Sequence, residues 1–125
     1  MKFLLDVNVL MGAIWKGHTL HERAKAWVEG KKLVTCPVTE LGFIRISTNQ
    51  RALALPMADV RETLARFLKE RNVEQIPDDL PALDSHAKTS SAVTDQYLAD
   101  LAAKHGLKLA TLDGAIAHPA IERIS

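Results

Sequence analysis

The stretch Leu4-Leu5-Asp6-Val7-Asn8-Val9-Leu10, LLDVNVL, sets a carboxylate and an amide two positions apart inside an apolar run. A carboxylate taken out of water is costly unless it is paired, hydrogen-bonded or bound to a cation. Lys2 to Leu5 read as a buried first strand, so Asp6 falls at its carboxyl end. In open α/β sheets, sites form beyond that edge. The rest of the chain must therefore supply whatever makes Asp6 tolerable there.

Outward from this stretch, short apolar runs alternate with amphipathic ones, the pattern of βα units and a mostly parallel sheet. A helix is predicted over 19–29, opened by a capping box of Thr19 and Glu22. Lys32 to Thr35 is a short strand, and Pro37 starts a helix that runs to about Thr48. Pro56 starts another, with Met57, Val60, Leu64, Phe67 and Leu68 along one stripe. Glu74 to Ile76 is a weak strand, 82–88 a short helix, and 88–91 a polar loop. Thr94 caps a helix over 95–105 that stops at Gly106. Leu107 to Ala110 is a strand, and 121–124 an edge strand. The sum is a three-layer α/β/α sandwich, and 125 residues suit one domain with its own core.

Four acids stand in or beside apolar sequence: Asp6, Glu40, Asp95 and Asp113. Asp6 and Asp113 follow predicted strands, and Asp95 begins a helix whose dipole favours the ionised form. Singly, Asp95 also reads as a helix-start acid, Asp113 as a turn residue before Gly114, and Glu40 as a partner for Arg45. Together they fit one pocket. Two carboxylates about 4 Å apart repel by about 4 kcal/mol at an effective dielectric of about 20, so such a set needs cations or raised pKa values. Oxygen ligands suit Mg²⁺ or Mn²⁺ rather than zinc. Such an ion activates water and stabilises a phosphoryl transition state. Asn8 and Thr111 are candidate supporting groups, although Thr111 also reads as a plain strand residue.

The chain carries 16 basic and 15 acidic residues, a balance that by itself argues against a polyanion-binding protein. If metal neutralises four of the acids, the remaining surface averages about +5, which favours an anionic polymer. Arg45, Arg51 and Lys88 are then candidate phosphate contacts, with solvated surface charge the plain alternative. No apolar stretch is as long as a membrane span. No basic leader or small-residue cleavage site accompanies the apolar start, which argues against a signal peptide. The single cysteine, Cys36, fits a core position and a reducing cytoplasm.

LLDVNVL, TELGFIRISTN at 39–49, VTDQYLADLAAKHG at 93–106 and LATLDGAI at 109–116 together resemble PIN-domain ribonucleases, more narrowly VapC-type toxins of toxin–antitoxin pairs. The resemblance spans nearly the whole chain, in order. It implies a single PIN-like nuclease domain over 1–125 and a metal-dependent endoribonuclease. In such a protein Asp6, Glu40, Asp95 and Asp113 hold Mg²⁺ or Mn²⁺, and RNA is cut to a 5′-phosphate and a 3′-hydroxyl. Asn8 and Thr111 match supporting positions. A homodimer and a cognate antitoxin that enters the acidic pocket are also implied. Gly114 departs from the basic residue many relatives carry there. Asp100 sits on another face of the Asp95 helix, as a surface or peripheral acid.

Other readings lead elsewhere. His18 and His21, three apart, read as rim residues, because no HxH or HExxH pattern supports zinc. Trp15 and Trp27 read as core or dimer contacts. A receiver-like phosphoacceptor domain shares the size and an acidic pocket, but wants an early acidic pair where this chain has Asp-x-Asn. A dehalogenase-like phosphatase wants Asp-x-Asp, which Asn8 breaks. A non-catalytic RNA- or protein-binding module gives no reason to retain four acids.

Overall fold

Leu4 and Leu5 are adjacent in sequence and both fully buried, yet they enter different cores. A strand turns successive side chains to opposite faces, so burial of both means the sheet is covered on each side. The computed structural model describes residues 1–112 and 117–124. Its strands are β1 (Lys2–Leu5), β2 (Lys32–Thr35), β3 (Glu74–Gln75), β4 (Lys108–Thr111) and β5 (Ile121–Arg123). They form one sheet in the order β3-β2-β1-β4-β5, with every neighbouring pair parallel. β1 is central, and its end is flanked by the ends of β2 and β4.

One face of the sheet meets α1 (Val7–Ile14), α2 (His21–Val28), α3 (Pro37–Thr48) and α4 (Met57–Glu70), with Leu5, Val9, Leu10, Phe43, Val60 and Leu64 in their core. The other meets α5 (Val93–Lys104), where Leu4, Val34, Leu98, Leu101 and Leu109 pack together. The expected three-layer sandwich is thus present. Gly106, at φ +69, closes α5 in a conformation that favours glycine.

Several local expectations give way. α1 is an element that the sequence reading did not include, although Asp6 is its N-cap. Val9 to Gly12 are all buried, so the run shows no helical stripe. The capping box at Thr19 does not form: α2 begins at His21, and His18 Nδ1 accepts the Leu20 N–H at 3.1 Å instead. Thr94 likewise lies inside α5, which starts one residue earlier. The stretch expected as a short helix over 82–88 is only a 3-10 turn, Ala82–Asp84, and a second, Ser90–Ala92, interrupts the polar loop.

His21 is buried rather than at a rim, with its Nδ1–H donating to the Gly12 carbonyl at 2.7 Å. Trp15 stacks on Phe43 and donates to Ser47 Oγ, and Trp27 meets Phe3 edge-on. Cys36 is a buried core thiol, which burial pushes up to about 11. Among the described residues, no helix is long and apolar enough to cross a membrane.

Candidate active site

The carboxyl edge of the sheet is polar. Gln75, Thr35 and Thr111 end β3, β2 and β4, and Asp6 follows β1. Three helices start near this edge, and each brings one of the singled-out residues. α1 opens on Asp6 as its N-cap, α3 carries Glu40 in its first turn, and α5 carries Asp95 in its own. The orphan N–H groups at each helix start favour negative charge there.

Asp6 is 2% exposed. Its Oδ1 accepts the Val9 N–H at 2.8 Å, and its own N–H continues the ladder to the Ala110 carbonyl at 3.2 Å. That cap offsets part of the cost of burying the carboxylate. One turn into α3, Thr39 Oγ donates to the Leu5 carbonyl at 2.9 Å and ties the start of α3 to the end of β1. Glu40 follows directly. Its Oε2 accepts from Thr35 Oγ at 2.6 Å and from the Gln75 amide at 2.8 Å. The side chain is thus anchored to two strand ends and not to Arg45, the partner that the plain reading offered.

Asn8, Arg45, Thr94 and Asp95 line one cavity of about 730 Å³ between α1, α3 and the start of α5. Gly42 also lines it, and there is no room for a side chain at that position. A Cβ would come within 2.6 Å of Val7 Cγ2, so glycine lets α1 and α3 close together at the cavity wall. Thr111 is buried at the end of β4.

The singled-out acids divide as follows. Asp6, Glu40 and Asp95 lie at the starts of helices along the same sheet edge. Among the described residues no three His, Cys, Asp or Glu side chains form a group able to hold a metal. Asp113 lies outside the described residues. Arg51 is exposed in the turn after α3, and Lys88 is exposed in the connection before α5; neither lines the cavity. Asp100 is peripheral, as expected, with Oδ1 accepting from His118 Nε2 at 2.9 Å.

Thr35 and Gln75 are the site residues that sequence reasoning missed. Their signal was faint: each is a polar residue at the last position of a strand.

The PIN-domain family model matches residues 3–122. Ribonuclease VapC38 of Mycobacterium tuberculosis is 36% identical, over 90% of this chain and 86% of the relative. Ribonuclease VapC44 of the same organism is 34% identical, over 97% of this chain and 92% of the relative. Two solved structures share the fold, each with a TM-score of 0.59 over 90% of this chain. They are VapBC2 from Rickettsia felis bound to a promoter DNA fragment, at 14% identity over 89% of that chain, and FitAcB from Neisseria gonorrhoeae, at 24% over 88%. With its parallel sheet, its helix starts gathered at one edge and relatives matched nearly end to end, the chain belongs to the PIN-domain family and, within it, to the VapC ribonucleases.

Proposed function

We propose that this chain is a divalent-metal-dependent endoribonuclease, the toxin of a toxin–antitoxin pair, with Asp6, Glu40, Asp95 and Asp113 as its metal-holding acids. The observation that supports the reading is that Asp6, Glu40 and Asp95 each stand at a helix start along one sheet edge. The donor set fits the ion. It is all oxygen, with the Asn8 amide and the Thr111 hydroxyl beside it, as Mg²⁺ or Mn²⁺ prefers over softer metals. When bound, the ion supplies charge neutralisation, a water of lowered pKa and stabilisation of the phosphoryl transition state.

The chain's own residues do the positioning. Both hydrogen bonds to Glu40 land on Oε2, so its carboxylate keeps one orientation. Asp6 is held by its cap on α1. Arg45 lines the same cavity as Asp95, which supports its role as a contact for an RNA phosphate. Arg51 and Lys88 are exposed cations of the outer surface and belong to the reading only as long-range attraction.

The proposed partners are RNA as substrate, a cognate antitoxin covering the site, and a second copy of the chain in a homodimer. The R. felis and N. gonorrhoeae complexes support the antitoxin. A cytoplasmic location accords with the reduced, buried Cys36. The PIN-domain match and the ribonuclease relatives favour this reading over a receiver-like phosphoacceptor or a non-catalytic binding module.

The test is incubation of purified protein with structured RNAs in Mg²⁺ or Mn²⁺, with and without chelator, alongside Asp95→Asn. Cleavage that depends on metal and on Asp95 supports the reading. Cleavage indifferent to chelator, or none by the purified protein, overturns it.

A further inference from the structure

Three cavities are linked through shared lining residues on and after α1. The first is the one shared by Asn8, Arg45 and Asp95. Asn8 and Ile46 also line a second, of about 590 Å³, whose walls include Trp15, Leu53 and Leu55 and whose far end holds Lys16. Lys16 in turn lines a third, of about 230 Å³, with Lys25, Arg66 and Arg71.

The chemistry changes in order along this trough. Its first part carries Asp95 and Arg45, its middle part is mainly apolar with Asn8, Lys16 and His18 also on its wall, and its last part sets four cations against the single acid Glu70. Among the described residues Lys16 and Lys25 join no ion pair, while Arg66 pairs with Glu62 at 2.9 Å on the exposed surface and the half-buried Arg71 pairs with the exposed Glu29 at 3.0 Å. Exposed pairs of that kind are weak and readily exchanged for another anion.

We infer that the trough is a track for single-stranded RNA leading away from the acidic edge. A base occupies the apolar bay beside Leu53 and Trp15, and the following phosphates lie on Lys16, Lys25, Arg66 and Arg71. The inference rests on the ribonuclease reading above and extends it to the path of the substrate. A polymer with flat apolar bases on a regularly charged backbone matches an apolar bay that opens into a basic groove. An acidic antitoxin segment is the competing occupant of the same groove, and the experiment separates the two.

The experiment compares Asp95→Asn protein, used to suppress cleavage, with the same protein carrying Lys16→Glu and Lys25→Glu. Binding of labelled single-stranded RNAs of about 4 and about 12 nucleotides is followed by fluorescence anisotropy at several salt concentrations. Both lysines are exposed, and the milder Lys16→Gln/Lys25→Gln pair and a thermal melt guard against misfolding.

The parent should bind the longer RNA about tenfold or more tightly than the shorter. The variants should lose that gain, and the salt slope should fall by about 1 to 2. If wild-type protein cuts RNA while the variants bind both lengths as the parent does, the track is overturned and the ribonuclease reading stands. If the variants lose only an acidic antitoxin peptide, the groove faces protein and the track is again overturned. If wild-type protein neither cuts nor binds RNA, both readings fall.

Discussion

Gln75 donates to Glu40 Oε2 at 2.8 Å across 35 positions of sequence, joining the last residue of an edge strand to the first turn of α3. Thr35 meets the same oxygen at 2.6 Å. If Glu40 is a metal-holding acid, these two residues set its orientation. Removing such partners typically lowers activity about ten- to a hundredfold. We expect that loss for Gln75→Leu with Thr35→Val. Gln75→Leu alone, at an exposed position, should change stability by less than about 0.5 kcal/mol. Cleavage rates and urea titrations check both parts, and full activity of the double variant would remove Glu40 from the site.

Asp6 serves two purposes that substitution separates. Asn keeps an oxygen that can accept the Val9 N–H, whereas Ala loses the cap and costs about 0.5–2 kcal/mol. Both should abolish RNA cleavage, but only Asp6→Ala should shift the denaturation midpoint appreciably. Equal destabilisation by the two would mean the negative charge itself holds the fold.

Gly42→Ala forces a methyl group to within 2.6 Å of Val7 Cγ2. Overpacking of this kind costs about 1–3 kcal/mol. Because Val7 precedes Asn8 at the cavity wall, cleavage should fall along with stability. Chemical denaturation and kinetics on the same preparation test it, and a variant as stable as the parent would show that α1 and α3 can part freely.

Metal should stabilise the protein without any RNA present. A site filled at about a hundred times its Kd adds about 2.7 kcal/mol to folding, or several degrees in Tm. Calorimetry should show that rise with Mn²⁺ or Mg²⁺, and Asp95→Asn should shrink it. No shift at millimolar metal would argue against clustered acids.

Cys36 should be inert to alkylation in the folded protein, because burial pushes its thiol up to about 11. Its folded pKa lies above the ordinary value of 9.0, so its contribution to stability is present below about 9 and lost as the pH rises towards 11. Cys36→Ala should flatten that alkaline decline in a pH series of melts, and rapid labelling near neutrality would contradict the burial.

Much of this was legible in residue order, for reasons that differ by element. α3 was legible from Pro37, which sits in its first turn, and its expected end near Thr48 agrees with the structure. β1, β2 and β4 were short apolar runs between turn signals, and the acids stood out because they interrupted them. α1 was missed because four consecutive residues, Val9 to Gly12, are buried and apolar side chains run through most of it, so no alternation of polar and apolar positions sets a period. Thr35 and Gln75 were missed because their role exists only once β2, β3 and α3 are side by side. His21 looked like a rim residue until the Gly12 carbonyl, nine positions earlier, came within reach of its ring.

β3 is two residues long and lies at the margin of the sheet, whereas β1 lies at its centre. Backbone amides near Asp6 should therefore exchange with deuterium only on global opening, while those around Gln75 exchange through local fraying. The anchor of one acid is built on the least protected strand and the seat of another on the most protected. Mild denaturant should silence the enzyme through β3 well before the molecule unfolds.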